Sequence, residues 1–220
     1  MKDIVILGAG HSGELAAFYF REDAGRRVAA FTLDAAYVQE DTFCDLPVTP
    51  FEDVEERYPP SDFDIFIAMG YRELNKARRR KLDEARAKGY QAASYVSSKA
   101  TTFSTFEARE NQFILEDNTI QPFVHIGENT TLWSGNHIGH HSTIGADNFL
   151  ASHIVVSGSV TIGDRCFIGV NATIRDGVTI GSDCVIGAGA LVLKDVPDGT
   201  VISPKATEAS PIPSSRLRHI

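Results

Sequence analysis

"TIGDRCFIGVNATIRDGVTIGSDCVIGAGALV" (Thr161–Val192) carries a branched aliphatic at every sixth position: Ile162, Ile168, Ile174, Ile180, Ile186 and Val192. Stepping back by six continues the series through Val156, Leu150, Ile144, Ile138, Leu132, Ile126 and Ile120 to Ile114. With Ile, Leu and Val at roughly a quarter of ordinary chains, fourteen consecutive hits are not chance. Glycine follows the aliphatic at Gly127, Gly139, Gly145, Gly163, Gly169, Gly181 and Gly187. Four residues after it the chain is mostly small or β-branched, as at Val124, Thr130, Ser142, Val160, Cys166, Ala172, Val178, Cys184 and Ala190.

A period of six matches neither a helix nor simple strand alternation. It matches a short strand followed by a tight turn, repeated. The turns read as "GEN", "GAD", "GDR" and "GSD", with residues that tolerate tight backbone conformations. The second half of the chain therefore reads as a run of short strands separated by tight turns.

Upstream of the repeat the pattern changes. "IVILGAG" is a buried strand entering a glycine turn, and "HSGELAAFYFRED" presents an apolar helical face. "RRVAAFTLD" is a strand ending at Asp34, and "FDIFIAMG" is another. "YRELNKARRRKLDEARAKG" reads as a helix stopped by Gly89, and "QAASYVSS" as a further strand. Alternating strands and helices predict a small Rossmann-like parallel α/β domain over 1–98. The repeat domain follows over 99–200, and a Pro- and Ser-containing tail covers 201–220.

Gly8, Gly10 and Gly13 form GxGxxG between a strand and a helix. That is the dinucleotide fingerprint in its usual context, and a helix N-terminus offers bare N–H groups to phosphate. A nicotinamide-dependent oxidoreductase is one reading. However, about four strands before Ser98 fall short of the two βαβαβ halves that hold a dinucleotide. A mononucleotide or nucleotide sugar fits better, and a tight turn without a ligand stays open.

The bulk numbers narrow the classes. The chain has 220 residues, 43% hydrophobic and 23% charged, with a net charge of −8. No basic block is available for a nucleic-acid backbone; "KARRRK" (Lys76–Lys81) lies in an acid-rich helical pattern and reads as a solvated face. No stretch approaches the ~20 apolar residues of a membrane span. The start "MKDIVILGAG" does not read as a signal peptide. Three cysteines without paired spacing suggest a reducing cytoplasm.

The combination of "GAGHSGE" with "IGHHSTIG", "GVNATIRDGVTIG" and "VIGAGALVLKDVPDGTVISPKA" resembles the nucleotide-sugar acyltransferases of bacterial glycan synthesis. The bacillosamine-pathway N-acetyltransferases and sialic-acid O-acetyltransferases are similar. The resemblance implies a left-handed parallel β-helix, three hexapeptides to a triangular coil, in which Cys166 and Cys184 stack inside. It further implies a homotrimer with acetyl-CoA in the groove between neighbouring prisms, near Gly158, Val170 and Ala188. It places the nucleotide of the sugar at Gly10, His11, Ser12, Asp34 and Gly70. Acetyl transfer to an amino or hydroxyl group is the implied reaction.

In that family an "I-x-H-x-x-x-I-G" hexad carries the general base, and here its register falls on His140. Imidazole, with a pKa of about 6.5 when unperturbed, suits proton removal near neutrality. In the bacillosamine-type enzymes a carboxylate follows the base; here His141 does, either orienting His140 or acting as the base itself. His137 ends the preceding hexad. Zinc wants about four ligands in a tetrahedron. No Cys or carboxylate lies close by in sequence, so the expectation is that no metal is held. A non-catalytic or metal-binding β-helix is the remaining alternative.

Overall fold

The structure, a computed structural model, describes residues 2–212 and 214–216. The hexapeptide series builds a three-faced prism of two-residue parallel strands. One face, A, runs Tyr95–Val96, Phe113–Ile114, Thr131–Leu132, Phe149–Leu150, Phe167–Ile168, Val185–Ile186 and Val201–Ile202. Face B runs Thr119–Ile120, His137–Ile138, Val155–Val156, Thr173–Ile174 and Leu191–Val192. Face C runs His125–Ile126, Thr143–Ile144, Thr161–Ile162 and Thr179–Ile180. Each strand pairs with the one eighteen residues on, as His137 does with Val155, so three hexads make one coil stacked as in a left-handed β-helix.

The fourteen aliphatics all point inward; none is more than 4% exposed. The residue two positions earlier points inward too, as strand alternation requires. Most of these are small, which a narrow triangular interior demands. The amides among them, Gln112, Asn118, Asn136 and Asn148, are fully or almost fully buried. Their amide N–H groups donate to main-chain carbonyls at or beside the turns. Asn148 Nδ2 donates to the Gly145 and Gly163 carbonyls at 2.9 Å, and its Oδ1 accepts from Cys166 N at 2.7 Å. Burying an amide without such partners would cost stability.

The corners explain the rest of the repeat. The third residue after each aliphatic from Ile114 to Ile186 adopts positive φ, from Asp117 (59°) through Asn129, His141 and Asp183 to Gly189 (70°). Asn, Asp and Gly tolerate that conformation best. The glycine directly after the aliphatic has a different reason: a Cβ on Gly139 would lie 2.5 Å from the Ser157 carbonyl carbon on the next coil.

The N-terminal sheet has five strands in the order β3-β4-β2-β1-β5: β1 Asp3–Leu7, β2 Val28–Leu33, β3 Thr42–Phe43, β4 Leu46–Pro50 and β5 Phe63–Ile67. It is mixed rather than all parallel. β3 runs antiparallel to β4 through a turn in which Cys44 and Asp45 both have positive φ. Neither residue advertises that turn in sequence. The fourth parallel strand is β4, paired with β2, and not the segment "QAASYVSS". That segment is shared: Ala92 bridges to Ile65 of β5, and Tyr95–Val96 pairs with Phe113–Ile114 of the prism. Strand pairing also continues to Val201–Ile202 against Val185–Ile186, past the expected start of the tail.

Two helices clamp the sheet to face A of the prism. α1 (His11–Glu22) buries Ala16, Ala17 and Phe20, and Phe20 meets Tyr95 edge-on at 5.8 Å. The second, α2 (Lys76–Ala87), starts later than its sequence pattern suggests. Residues Glu73, Leu74 and Asn75 form a left-handed turn before it. That turn lets Tyr71 pack on Phe149 and Phe167, at 5.0 and 4.7 Å between ring centroids. Arg78 of α2 is fully buried and donates to Asn129 Oδ1 and to the carbonyls of Met69, Gly70, Asn129 and Asn148. Burial pulls its pKa down to about 10, so the guanidinium stays charged at neutral pH, and its Nε and Nη2 tie α2 to the prism.

Candidate active site

Most of the residues singled out in the sequence gather at two places among the described residues. The first lies at the carboxyl ends of β1, β2 and β5, where β1 sits between strands reached by opposite crossovers. Open α/β sheets bind ligands at such a switch point. Gly8 has φ +123°, and a Cβ there would lie 2.6 Å from the Ala68 carbonyl oxygen. A Cβ on Gly13 would run into the Gly8 carbonyl oxygen. These two glycines let the loop turn tightly against β5 and α1. Gly10 and Gly70 differ: nothing lies within 4 Å of a Cβ at either, so both present open backbone. Gly10 caps α1 without any side-chain hydrogen bond, which leaves the first-turn N–H groups of His11 and Ser12 pointing outward with the helix dipole behind them.

Ala9 and Leu33 line a cleft of about 150 Å³ with Tyr37, Gln39, Glu40, Thr42, Phe43 and Val48. The sequence did not single out these last six residues, because the β3–β4 hairpin that brings them there was not legible. Asp34 is placed differently from the loop residues. Its carboxylate is held by Lys81 of α2 at 2.5 Å, and it faces a separate hollow with Phe51, Glu52 and Lys88. Ser12 lines a third, small cavity against face A, with Asn111, Thr131, Trp133 and Phe149.

The second place is the prism edge between faces B and C. His140 and His141 are exposed there, in the turn after Ile138. His140 N donates to Gln121 Oε1 at 2.8 Å. The two Nδ1 atoms are 3.1 Å apart, so one ring donates to the other. His141 also stacks near Phe123, with ring centroids 4.8 Å apart. This arrangement leaves Nε2 of His140 free of His141. One coil further on is Gly158, buried beneath the His140 ring, and one more coil brings Asp176.

His137 is not part of this edge; it is half-buried in a face-B strand between Thr119 and Val155. Val170 and Ala188 stack on the next edge, between faces A and B, and Val170 is exposed. The structure thus joins His140, His141 and Gly158 within one chain, and separates them from Val170 and Ala188. It also puts the glycine loop, which sits over face A, on the opposite side of the prism from His140. Asp176 was within reach of the sequence, since it lies two coil lengths after His140.

Residues 159–194 match the hexapeptide repeat of succinyl-transferase. No curated protein matches the chain at a significant level. Among solved structures, a histidine-to-asparagine mutant of perosamine N-acetyltransferase from Caulobacter crescentus, in complex with CoA and GDP-perosamine, is 25% identical with a TM-score of 0.82. The match covers 91% of this chain and 93% of that one. PerB from the same organism, also with CoA and GDP-perosamine, gives 25% identity and a TM-score of 0.81 over the same shares. WeeI from Acinetobacter baumannii AYE shares the fold at 23% identity and a TM-score of 0.77, over 91% of this chain and 96% of that one. In its hexapeptide prism, its α/β domain and this likeness along most of its length, the chain is similar to sugar N-acetyltransferases built on the hexapeptide repeat.

Proposed function

We propose that the protein transfers an acetyl group from acetyl-CoA to a nucleotide-activated sugar of bacterial surface-glycan synthesis, with His140 as general base. The observation that carries this reading is the two-part likeness, over 91% of the chain, to an enzyme holding CoA and GDP-perosamine. Local geometry supports it. The open backbone at Gly10, His11 and Ser12 suits a diphosphate, and the adjoining cleft of Tyr37, Phe43 and Val48 suits a flat base. Val170, Val155 and Leu191 are exposed apolar side chains on and beside face B, a surface that suits a pantetheine arm.

In this reading the acceptor attacks the thioester carbonyl while Nε2 of His140 takes its proton. The His141 ring, bonded at Nδ1, holds the imidazole in one orientation. Among the described residues, no acceptor takes the N–H of Gly158, so that group can donate to the oxyanion as it forms. The proton then passes to the departing thiolate, and no acyl-enzyme is required.

One chain does not complete this site, because the glycine loop and His140 lie on opposite sides of the prism. We infer that a second copy supplies the missing half, in a homotrimer with three sites. The test is a thiol-release assay with acetyl-CoA against UDP-, GDP- and dTDP-linked amino sugars and their hydroxyl analogues. Release above background with one of them is expected. Silence across the panel from a folded protein would sink the reading.

A further inference from the structure

This inference rests on the acetyltransferase reading and concerns which atom accepts the acetyl group. A Cβ built on Gly158 would lie 2.9 Å from Nε2 of His140 and 2.9 Å from Oδ1 of Asp176. The imidazole and the carboxylate, from the coils on either side, therefore overhang the same missing side chain. Yet they form neither a hydrogen bond nor an ion pair with each other, whereas His140 Nδ1 is already committed to His141. The gap between Nε2 and Oδ1 is of a size that one polar atom spans.

The chemistry of the two walls selects that atom. A carboxylate only accepts hydrogen bonds, and Nε2 must accept one if it is to act as base. The bridging atom therefore needs two protons to give, and a lone pair left for the thioester. A hydroxyl has one proton and satisfies one wall. A primary amine has two, and its lone pair remains for attack. A charge-assisted bond to the carboxylate is also stronger than a neutral one.

We propose that Asp176 is a specificity-determining residue that holds the acceptor nitrogen and makes the enzyme an N-acetyltransferase for primary amines. The ammonium form first gives its extra proton to solvent. In the neutral amine, one N–H points to Asp176 and the other to His140. The C–N bond forms as the nitrogen lone pair attacks, the proton moves from nitrogen to Nε2, and the C–S bond breaks. The proton on Nε2 is then delivered to the CoA thiolate, and Asp176 remains a carboxylate throughout. Gly158 is required because any side chain there fills the gap.

The test measures binding and turnover separately. Matched amino and hydroxy sugars, each linked to UDP, GDP or dTDP, are titrated calorimetrically into the protein loaded with unreactive CoA. In the pair that binds best, the amine should bind about tenfold tighter than the hydroxyl. Asp176→Ala should erase that preference while leaving the fold and CoA affinity unchanged, because the side chain is exposed and outside the core. With acetyl-CoA, kcat/KM for the amine should fall about 10–100-fold, with Asp176→Glu recovering part of it. Equal binding of amine and hydroxyl by the wild type, or no binding of any pair, would overturn the proposal. So would an undiminished amine preference in Asp176→Ala. A preference in binding without any thiol release would leave Asp176 in its role and remove the acetyltransferase reading instead.

Discussion

His140 and His141 occupy a corner whose side chains contribute nothing to the prism core, so their removal separates chemistry from folding. His140→Ala should keep the fold and CoA binding and lower kcat about 10²–10⁴-fold, the usual worth of a positioned general base. His141→Ala should cost less, because its ring acts through the Nδ1 contact with His140. His137→Ala should cost least, because that ring lies in a face-B strand and away from the edge. Steady-state kinetics of the three variants, with sedimentation to confirm the assembly, checks the order. Full activity in His140→Ala together with loss in His141→Ala would move the base by one residue.

Between elements, the joint of the α/β layer with face A depends on polar contacts at both of its borders. On the α1 side, Asp23 accepts from Ser98 N at 2.8 Å, from the Tyr95 hydroxyl at 2.6 Å, and from the Ser98 hydroxyl. These bonds, the Ser98 hydroxyl foremost, hold the Asp23 carboxyl down at about 2, below its ordinary 3.8. A lowered carboxylate pKa adds stability above the ordinary value and loses it as pH falls through the folded value. Asp23→Asn should therefore melt a few degrees below the wild type at pH 7, and the difference should shrink between pH 4 and 2. Thermal unfolding across that range measures it; a difference independent of pH would mean that the charge of Asp23 is not what stabilises the joint. On the α2 side, Arg86 bonds Glu110 and Glu128, both at 2.6 Å, and Arg79 bonds Asp147 at 2.8 Å. The run "KARRRK" thus serves as more than a solvated face, with Arg78 buried, Arg79 ion-paired to the prism and Lys81 paired to Asp34.

At the scale of the whole molecule, the decisive fact is that the glycine loop and the His140 edge lie on opposite sides of one prism. If two copies share each site, defects in the two halves should complement. Gly10→Val crowds only a ligand, since nothing in the chain lies within 4 Å of a Cβ there, and His140→Ala removes only the proposed base. Each variant alone should be nearly inactive. Trimers refolded from an equal mixture should recover about one quarter of wild-type activity, because that fraction of sites in a cyclic assembly pairs two intact halves. No recovery on mixing, with mixed trimers demonstrated, would place both halves of the site within one chain. A stable, active monomer in light scattering would end the shared-site reading outright.

How much of this was legible in sequence depends on the range of the interaction. The hexapeptide period determined the prism, because each aliphatic must meet the same interior every coil and each corner needs a residue that tolerates positive φ. The turns "GEN", "GAD", "GDR" and "GSD" end on Asn129, Asp147, Arg165 and Asp183, and all four have positive φ. The glycine loop was legible for the same local reason. Other features rest on contacts between residues far apart in the chain, which no local pattern records. The Cys44–Asp45 turn, the left-handed turn at Glu73–Asn75 and the burial of Arg78 are of this kind, set by packing against β2, face A and two prism carbonyls. So is the position of Asp34, drawn towards α2 by Lys81. Period and turn chemistry are properties of neighbours in sequence, and they settled the prism. Only the docking of the α/β layer on face A decided that the glycine loop and the His140 edge lie on opposite sides of that prism, because it buries one face and leaves the opposite edge, with His140 and Asp176, open to solvent.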